Sequence, residues 1–329
     1  MATTTTIVPS GGPVAGSRSF LSRLRDGDEI ARLITFLFAA SVVLITALLV
    51  YELWQGSALP RHRFGLNFFR TSVWDPVFDQ FGALPFIYGT LVTSAVALLI
   101  AVPLGIGAAI FLAELAPLRL SDTLEFFIDL LAAVPSVIYG LLGIFIVVPL
   151  MRNGIQPQLK QYLGFLPLFK GPAYGLGFLT AGVVLAIMII PYIISVSREI
   201  LLSVPRDQRE AALALGSTRW ESTWKIVVPF ARTGIIGSVF LALARALGET
   251  MAVTMVIGNT PVISPSLLSP GDSIASVIAS QFKEATGELY TQSLIELGLV
   301  LFLLTFILNG LARLMIVITS QRGSGTGLA

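Results

Sequence analysis

Six long apolar runs divide this 329-residue chain, and they constrain its fold more than any other feature. A helix needs roughly 20 apolar residues to cross the hydrocarbon core of a bilayer. The runs reach that length, whereas the strands of a membrane β-barrel are shorter and alternate apolar with polar residues. Hydrophobic residues make up 55% of the chain and charged residues only 12%, which is too apolar for a water-soluble protein of this size. The sequence therefore predicts an all-α polytopic membrane protein with six transmembrane helices.

The predicted organisation is one transmembrane domain, residues 29–319, between two tails. The N-terminal tail, residues 1–28, is rich in Thr, Gly, Ser and Pro, which is typical of disorder, and the C-terminal tail, residues 320–329, is rich in Gly. The predicted spans are residues 33–53, 87–113, 130–151, 173–197, 229–258 and 293–319. A polar connection, residues 198–228, joins the fourth span to the fifth. After the fifth span, Asp272 is the predicted N-cap of a short helix.

The Lys and Arg residues are unequally divided between the two sides of this six-span arrangement. The side that carries both tails and residues 198–228 has nearly twice as many of them as the other side. The positive-inside rule therefore places both termini and that connection in the cytoplasm. A net charge of +2 is too small to indicate a nucleic-acid partner. The apolar composition predicts membrane lipid as a partner instead.

The residue types also exclude several kinds of active site. The chain has no cysteine for a thiol nucleophile, and its one histidine, His62, cannot build a multi-histidine metal site. It contains no GxxxxGK[ST] phosphate-binding loop, so it is not itself an ATPase. Ser136, Tyr139 and Ser195 lie in predicted spans with no histidine near them in sequence, which favours packing roles over nucleophilic catalysis. We predict no enzymatic activity, no metal site and no cofactor in this chain.

The connection between the fourth and fifth spans has the pattern of two helices joined by a turn. Residues 209–215 are strong helix formers, Gly216 suits a left-handed helix cap, and residues 217–225 can start a second helix. Pro229 falls at the predicted start of the fifth span, where a missing amide costs little. The ordinary interpretation of such a loop is a solvated linker. The alternative is a rigid surface on which a partner docks.

This loop resembles the EAA-x3-G-x9-I-x-L-P signature of importer-type ABC transporter permeases, with Val228 at the usual Leu position. The matching residues are Glu210, Ala211, Ala212, Gly216, Ile226 and Pro229. The resemblance implies an importer-type ABC permease fold in which a cytoplasmic coupling helix docks on a separate ATPase. It assigns that coupling role to Glu210, Ala211, Ala212 and Gly216. ATP and magnesium would then be bound by the partner ATPase.

The fifth predicted span contains two charged residues, Arg245 and Glu249. An Arg at the bilayer centre costs about 2.5–3.5 kcal/mol on insertion scales, so both should face protein or a wet cavity rather than lipid. On a continuous helix, residues four apart share a face and can pair. One interpretation is an ion pair that only joins helices. The other is an anion site, because guanidinium offers planar, bidentate donors to a tetrahedral oxyanion.

Longer runs resemble the membrane subunits of phosphate-specific ABC importers. They are FGALPFIYGTL at residues 81–91, AAVPSVIYGLLG at 132–143, PYIISVSRE at 191–199, REAALALGSTRWES at 209–222 and RALGETMAVTMVIGN at 245–259. The resemblance implies import of phosphate by alternating access across the cytoplasmic membrane, with Arg245 and Glu249 on the substrate path. The implied partners are a homologous second permease subunit, an ATPase dimer and an external phosphate-binding protein.

Two alternative functions remain open at this point. Permeases that import other oxyanions, such as molybdate or sulfate, share the same coupling loop. An ion-coupled secondary transporter could use Arg245 and Glu249 as an ion relay, although an ATPase-docking loop would have no purpose in it.

Overall fold

The computed structural model describes the backbone of residues 28–324 and the side chains of residues 29–314. The predicted N-terminal tail up to residue 27 and the last five residues of the predicted C-terminal tail lie outside the described residues. The described part of the chain is helical and contains no strand beyond one isolated bridge between Asp75 and Gln80. Six of its helical segments are long and apolar enough to cross a membrane, which confirms the predicted fold class.

Eleven helical segments, labelled in chain order, organise the described residues. They are α1 (Asp28–Gly56), α2 (Ala58–Phe64), α3 (Leu84–Leu115), α4 (Leu118–Ala132), α5 (Ser136–Leu163), α6 (Phe178–Leu202), α7 (Arg206–Ala214), α8 (Arg219–Leu247), α9 (Met251–Ile257), α10 (Ile274–Gln281) and α11 (Glu288–Ser324). Short 3-10 turns occur at Gly65–Phe69 and Pro167–Phe169. The part of α1 up to Glu52 is one unit, and the chain from Leu53 onward packs as a second.

Two of the predicted spans differ from the observed helices. The third, predicted at residues 130–151, is divided between α4 and α5, because Pro135 forces the residue before it out of the helical region. The fifth, predicted at residues 229–258 as one segment, is interrupted at residues 248–250, where Gly248 ends α8. Both breaks occur at residues with poor helix propensity.

Among the described residues, four π-helical turns lie within or at the end of helices, and each ends two residues before a proline. They are Phe111–Leu115 before Pro117, Gly143–Val147 before Pro149, Met151–Ile155 before Pro157, and Thr223–Val227 before Pro229. Proline has no amide hydrogen, and its ring clashes with the carbonyl four residues earlier. In the last case the wider turn lets the Val228 amide donate to the Thr223 carbonyl, five residues back. Pro229 therefore lies at the start of the regular α-helical part of α8, Val228–Leu247, close to the predicted start of the fifth span, and the π-helical turn precedes it.

Helix α6 is the most buried of the spans in the second unit. Within its most apolar window, 61% of the residues are buried, against 33% or less in the other spans. Its side chains pack mainly against α3, and also against α4, α8 and α9. The fully buried large side chains of α6 are Phe178, Leu185, Met188, Ile189, Ile193 and Leu201. Helices α8 and α9, which flank the predicted substrate-path residues, therefore both pack against a central helix.

Gly89 of α3 lies very close to the backbone of the segment before α10. A Cβ atom at residue 89 would lie 1.8 Å from the backbone carbonyl oxygen of Asp272. That segment is also fixed by the Ile274 amide, which donates to Thr90 Oγ1 at 3.0 Å. The contact leaves no room for a side chain at residue 89.

We expect Gly89→Ala to lower the free energy of unfolding by about 1–3 kcal/mol or more, because overpacking displaces backbone that cannot easily move. Thermal unfolding of the purified protein in detergent measures the change. Gly107→Ala on the same helix is the matched control, since nothing lies within 4 Å of a Cβ atom there. Equal melting temperatures for the two variants would contradict the prediction.

Asp272 carries a deeply buried carboxyl group outside the six spans. The N-cap of α10 is Ser273 and not Asp272 as predicted: Ser273 Oγ accepts from the Ser276 amide at 3.2 Å. Asp272 Oδ1 accepts from the Ser273 amide at 2.8 Å, whereas Oδ2 has no hydrogen-bond partner among the described residues. Burial raises the pKa of Asp272 from 3.8 to about 7, against the opposing effect of hydrogen bonds from Ser276 and Ser273.

This raised pKa makes stability depend on pH. Between the unfolded value of 3.8 and the folded value of about 7, the folded state binds more protons than the unfolded state. The contribution of Asp272 to stability is therefore complete below the lower value and is lost as the pH rises to the higher one. We expect Asp272→Asn to flatten the fall in melting temperature between about pH 4 and pH 7, because Asn does not ionise. The control is Asp122→Asn at an exposed site on α4, and parallel pH curves for both variants would refute the assignment.

Candidate functional site

The segment predicted to couple to an ATPase forms a short helix followed by a defined turn. Helix α7 begins at Arg206, three residues before the predicted start, because Pro205 holds an extended conformation immediately before it. The helix ends where the Gly216 amide donates to the Leu213 carbonyl at 3.0 Å and the Ser217 amide donates to the Ala212 carbonyl at 3.2 Å. These two bonds form a Schellman motif, with Gly216 at φ +87°. The predicted left-handed cap is confirmed.

The four predicted coupling residues lie on different faces of α7 and its turn. Ala212 is 2% exposed and faces the rest of the chain, whereas Glu210, Ala211 and Gly216 are exposed. Leu215, which the sequence analysis did not select, is 88% exposed beside them. A small helix that buries one alanine and presents apolar and acidic groups outward has the composition of a docking surface.

A capping box fixes the start of α8. The Glu221 amide donates to Thr218 Oγ1 at 3.2 Å, and the Thr218 amide donates to a Glu221 carboxylate oxygen at 3.0 Å. The signal for this cap is present in the sequence as T-x-x-E, and it places the boundary of the second helix more closely than propensity does. The α7 to α8 connection is therefore held at both ends by local hydrogen bonds.

Two arginines that were not among the predicted site residues, the buried Arg198 and the half-buried Arg209, join the ends of separate helices. Arg198 lies inside α6 and not at the start of the loop as predicted; its Nη2 donates to Ser121 Oγ on α4 at 3.1 Å, and its Nη1 forms an ion pair with Glu125. Arg209 of α7 contacts Glu114 at the end of α3, with 2.8 Å between Nη2 and Oε1. No local sequence signal indicates either pairing.

Arg245 and Glu249 lie on opposite sides of the helix break. Arg245 is in the last turn of α8, and Glu249 follows the Gly248 cap. Glu249 Oε1 accepts from the Ala252 amide at 3.1 Å, so this carboxylate caps the first turn of α9. No ion pair within 4.0 Å joins the two side chains in the described part of the chain. The continuous helix that was expected to pair them is absent, because Gly248 ends α8.

The Arg245 side chain is exposed on this chain and has an aromatic neighbour. Its Cζ atom lies 5.6 Å from the ring centroid of Tyr192 on α6. A guanidinium near an aromatic ring gains a cation–π attraction that leaves its outer N–H donors available. Among the described residues no carboxylate neutralises Arg245, so the site retains a positive charge that can attract an anion. The described residues contain no cluster of metal-ligating side chains.

The comparison with known families covers this whole region. Residues 101–316, which include α7, α8 and α9, match the family described as binding-protein-dependent transport system inner membrane component. The chain belongs to this family. Its members are membrane components of transport systems, so this permease is a multi-pass transport subunit and not an enzyme.

Several individual relatives of this permease are similar over nearly their full length. It is 46% identical over 323 residues to the phosphate transport system permease protein PstC of Xylella fastidiosa strain Temecula1, covering 97% of this chain and 99% of that protein. It is 49% identical over 294 residues to PstC of Pasteurella multocida strain Pm70, covering 88% and 92%. The probable PstC of Methanocaldococcus jannaschii is 40% identical over 293 residues, covering 87% and 92%.

Solved transporters share the fold of this permease. A chain of a bacterial alginate ABC transporter, in complex with a periplasmic protein that binds an alginate pentasaccharide, superposes with a TM-score of 0.59 at 16% identity, covering 94% of this permease and 99% of that chain. A chain of the inward-facing MetNI methionine ABC transporter superposes with a TM-score of 0.55 at 15% identity, covering 75% and 99%. At these identities the similarity shows the fold alone, and it confirms the predicted importer-type ABC permease architecture.

Proposed function

We propose that this chain is the transmembrane permease subunit of an ATP-driven importer of inorganic phosphate. The observation that carries the proposal is the near full-length similarity, at 46% identity, to a permease named for phosphate transport. The geometry at Arg245 supports it, because an exposed guanidinium without a carboxylate partner among the described residues suits a tetrahedral oxyanion.

In this proposal Arg245 attracts phosphate to the substrate path, and Glu249 limits how tightly the anion binds. Glu249 is half-buried and keeps its carboxylate on the first turn of α9, next to the break that follows Arg245. Transport requires that the anion binds well enough to enter and weakly enough to leave. The negative charge of Glu249, across the helix break from Arg245, repels the anion and so favours its release.

In this proposal ATP hydrolysis by a partner drives transport by moving α7. The proposed partners are a homologous second permease subunit, an ATPase dimer that binds ATP and magnesium, and an external phosphate-binding protein. In this proposal the chain itself needs no cofactor. Closure of the ATPase dimer moves α7, with Glu210 and Ala211 in contact with the ATPase, and this motion changes which side of the membrane reaches Arg245. In this proposal α7 and both termini lie in the cytoplasm, and the distribution of Lys and Arg residues supports this orientation.

The test is transport by the complete importer in proteoliposomes, with binding protein on one side and ATP on the other. Uptake of labelled phosphate and ATP hydrolysis are measured together, and the hydrolysis rate is compared for phosphate, sulfate and molybdate. We expect phosphate alone to stimulate both activities. Stimulation by sulfate or molybdate in its place would assign another oxyanion. Uptake driven by an ion gradient without ATP would identify a secondary transporter.

A further inference from the structure

Arg209 has a set of contacts that is unusual for a residue on a short surface helix. Its Nε and Nη2 atoms donate to the Glu114 carboxylate, at 3.2 Å and 2.8 Å from Oε1. The Nη2 atom also donates to the Leu201 carbonyl at 2.8 Å, and the Nη1 atom donates to the Val204 carbonyl. All three guanidinium nitrogens are therefore engaged. A lysine could not reproduce this set, because its single ammonium lacks the planar fork.

These contacts join three separate parts of the chain at one point. Glu114 lies in the final π-helical turn of α3, and Leu201 lies in the last turn of α6. The Leu201 carbonyl also accepts from the Val204 amide at 3.3 Å, so Arg209 adds a charged donor to a carbonyl at the C-terminal end of α6. Arg209 thus holds α7 against the ends of two transmembrane helices.

The Arg209 and Glu114 side chains are only 20% and 9% exposed. Charge-assisted hydrogen bonds in a partly buried site are stronger and less screened by salt than exposed ones. A second ion pair, between Glu221 and Lys225 at the start of α8, has side chains that are 44% and 73% exposed, with 3.4 Å between the two atoms. Exposed pairs of that kind contribute little. The pair formed by Arg209 and Glu114 is therefore the stronger of the two, and we call it the anchor.

The anchor lies beside the residue that is proposed to contact the ATPase. Glu210 follows Arg209 in α7, and a cleft of about 540 Å³ is lined by Glu210, Arg209 and Glu114 together with Ala113, Leu202 and Arg206. The covalent links from α7 to α6 and to α8 are short non-helical segments, residues 203–205 and 215–218. A force applied to Glu210 could rotate α7 about these links unless a side-chain contact prevents it.

We propose that Arg209 and Glu114 are positioning residues that make α7 move as one body with the ends of α3 and α6, so that the pair determines how much substrate is transported per ATP hydrolysed. This inference rests on the proposed function, since it assumes that α7 receives force from an ATPase. Without the anchor, ATPase closure turns α7 on its links, and less of the motion reaches the transmembrane helices.

The test measures transport per ATP in the complete importer, reconstituted in proteoliposomes, for Arg209→Gln, Glu114→Gln and the double variant. We expect the ATPase to copurify and hydrolyse ATP, while phosphate transported per ATP falls by about tenfold, within the range found for residues that couple two sites. Because the two side chains act as a pair, the double variant should lose no more than Arg209→Gln. The control Lys225→Gln breaks the exposed pair of the same connection, and its ratio should stay within about twofold of the unmodified complex.

If Arg209→Gln transports as much phosphate per ATP as the unmodified complex, the proposal is overturned. It is also overturned if the losses of the two single variants add in the double variant. Failure of the ATPase to copurify with both Gln variants would also overturn it, because the pair would then serve docking and not transmission. If the unmodified complex hydrolyses ATP but transports a different anion, the proposed substrate is wrong. The role of Arg209 and Glu114 is then tested by the amount of that anion transported per ATP hydrolysed.

Discussion

Replacing Arg245 with Gln should reduce phosphate uptake by about a hundredfold or more, because removal of a charged partner from a charge-assisted contact costs 2–5 kcal/mol or more. Among the described residues no carboxylate lies within ion-pair distance of this guanidinium, so the variant leaves no buried countercharge behind. Folding and assembly should therefore be preserved, and the loss should be specific to transport. Labelled phosphate uptake in proteoliposomes is the measurement, with ATPase copurification as the check on assembly.

Two further variants sharpen this result. Arg245→Lys keeps the charge but loses the planar donors, so uptake should fall less, by about tenfold. Arg152→Gln removes the same charge from another exposed arginine in a span, and there uptake should be nearly unchanged. If Arg245→Gln and Arg152→Gln transport phosphate equally well, Arg245 is only a packing residue beside Tyr192.

The sequence predicted the spans and the coupling turn because both depend on local properties. Apolar runs indicate spans because the thickness of the bilayer sets the length of each crossing. Gly216 indicated a helix end because few other residues adopt its left-handed conformation. These features need no information about distant parts of the chain.

The break between Arg245 and Glu249 could not be predicted in the same way. Glycine is frequent in transmembrane helices, so Gly248 alone does not signal a helix end. The C-terminal end of α9 is stabilised by distant partners: the Gly177 amide donates to the Val256 carbonyl at 3.1 Å, and the Gly271 amide donates to the Ile257 carbonyl at 3.0 Å. A one-dimensional pattern cannot reveal such bonds.

The contact between Arg209 and Glu114 escaped prediction for the same reason. The two residues are 95 positions apart, and each lies in a segment whose own pattern is complete without the other. In the sequence, Arg209 belongs to a run of helix formers and Glu114 to a short polar turn. Only the packing of α3, α6 and α7 brings them together, so the coupling surface was predicted but its attachment to the membrane helices was not.

Substitution of Gly216 by Pro should abolish ATP-driven uptake, with a loss of about a hundredfold or more. Proline fixes φ near −65°, whereas residue 216 has φ +87° and its amide donates to the Leu213 carbonyl. The turn must then be rebuilt, and α7 no longer presents Glu210 and Ala211 in the same orientation. Uptake and ATPase copurification, measured with the membrane subunits still assembled, test the effect. Retained uptake would remove the case for a coupling turn and favour an ion-coupled transporter.

Two further substitutions at residue 216 distinguish backbone strain from obstruction by a side chain as the cause of lost uptake. Nothing lies within 4 Å of a Cβ atom built on Gly216, so the fold has space for a side chain there. Asn tolerates the left-handed conformation, whereas a β-branched residue does so poorly. Gly216→Asn should therefore keep most of the uptake, and Gly216→Val should lose it almost as completely as Gly216→Pro. If Asn is as damaging as Val, the side chain itself obstructs a partner, and residue 216 belongs to the surface on which the ATPase docks.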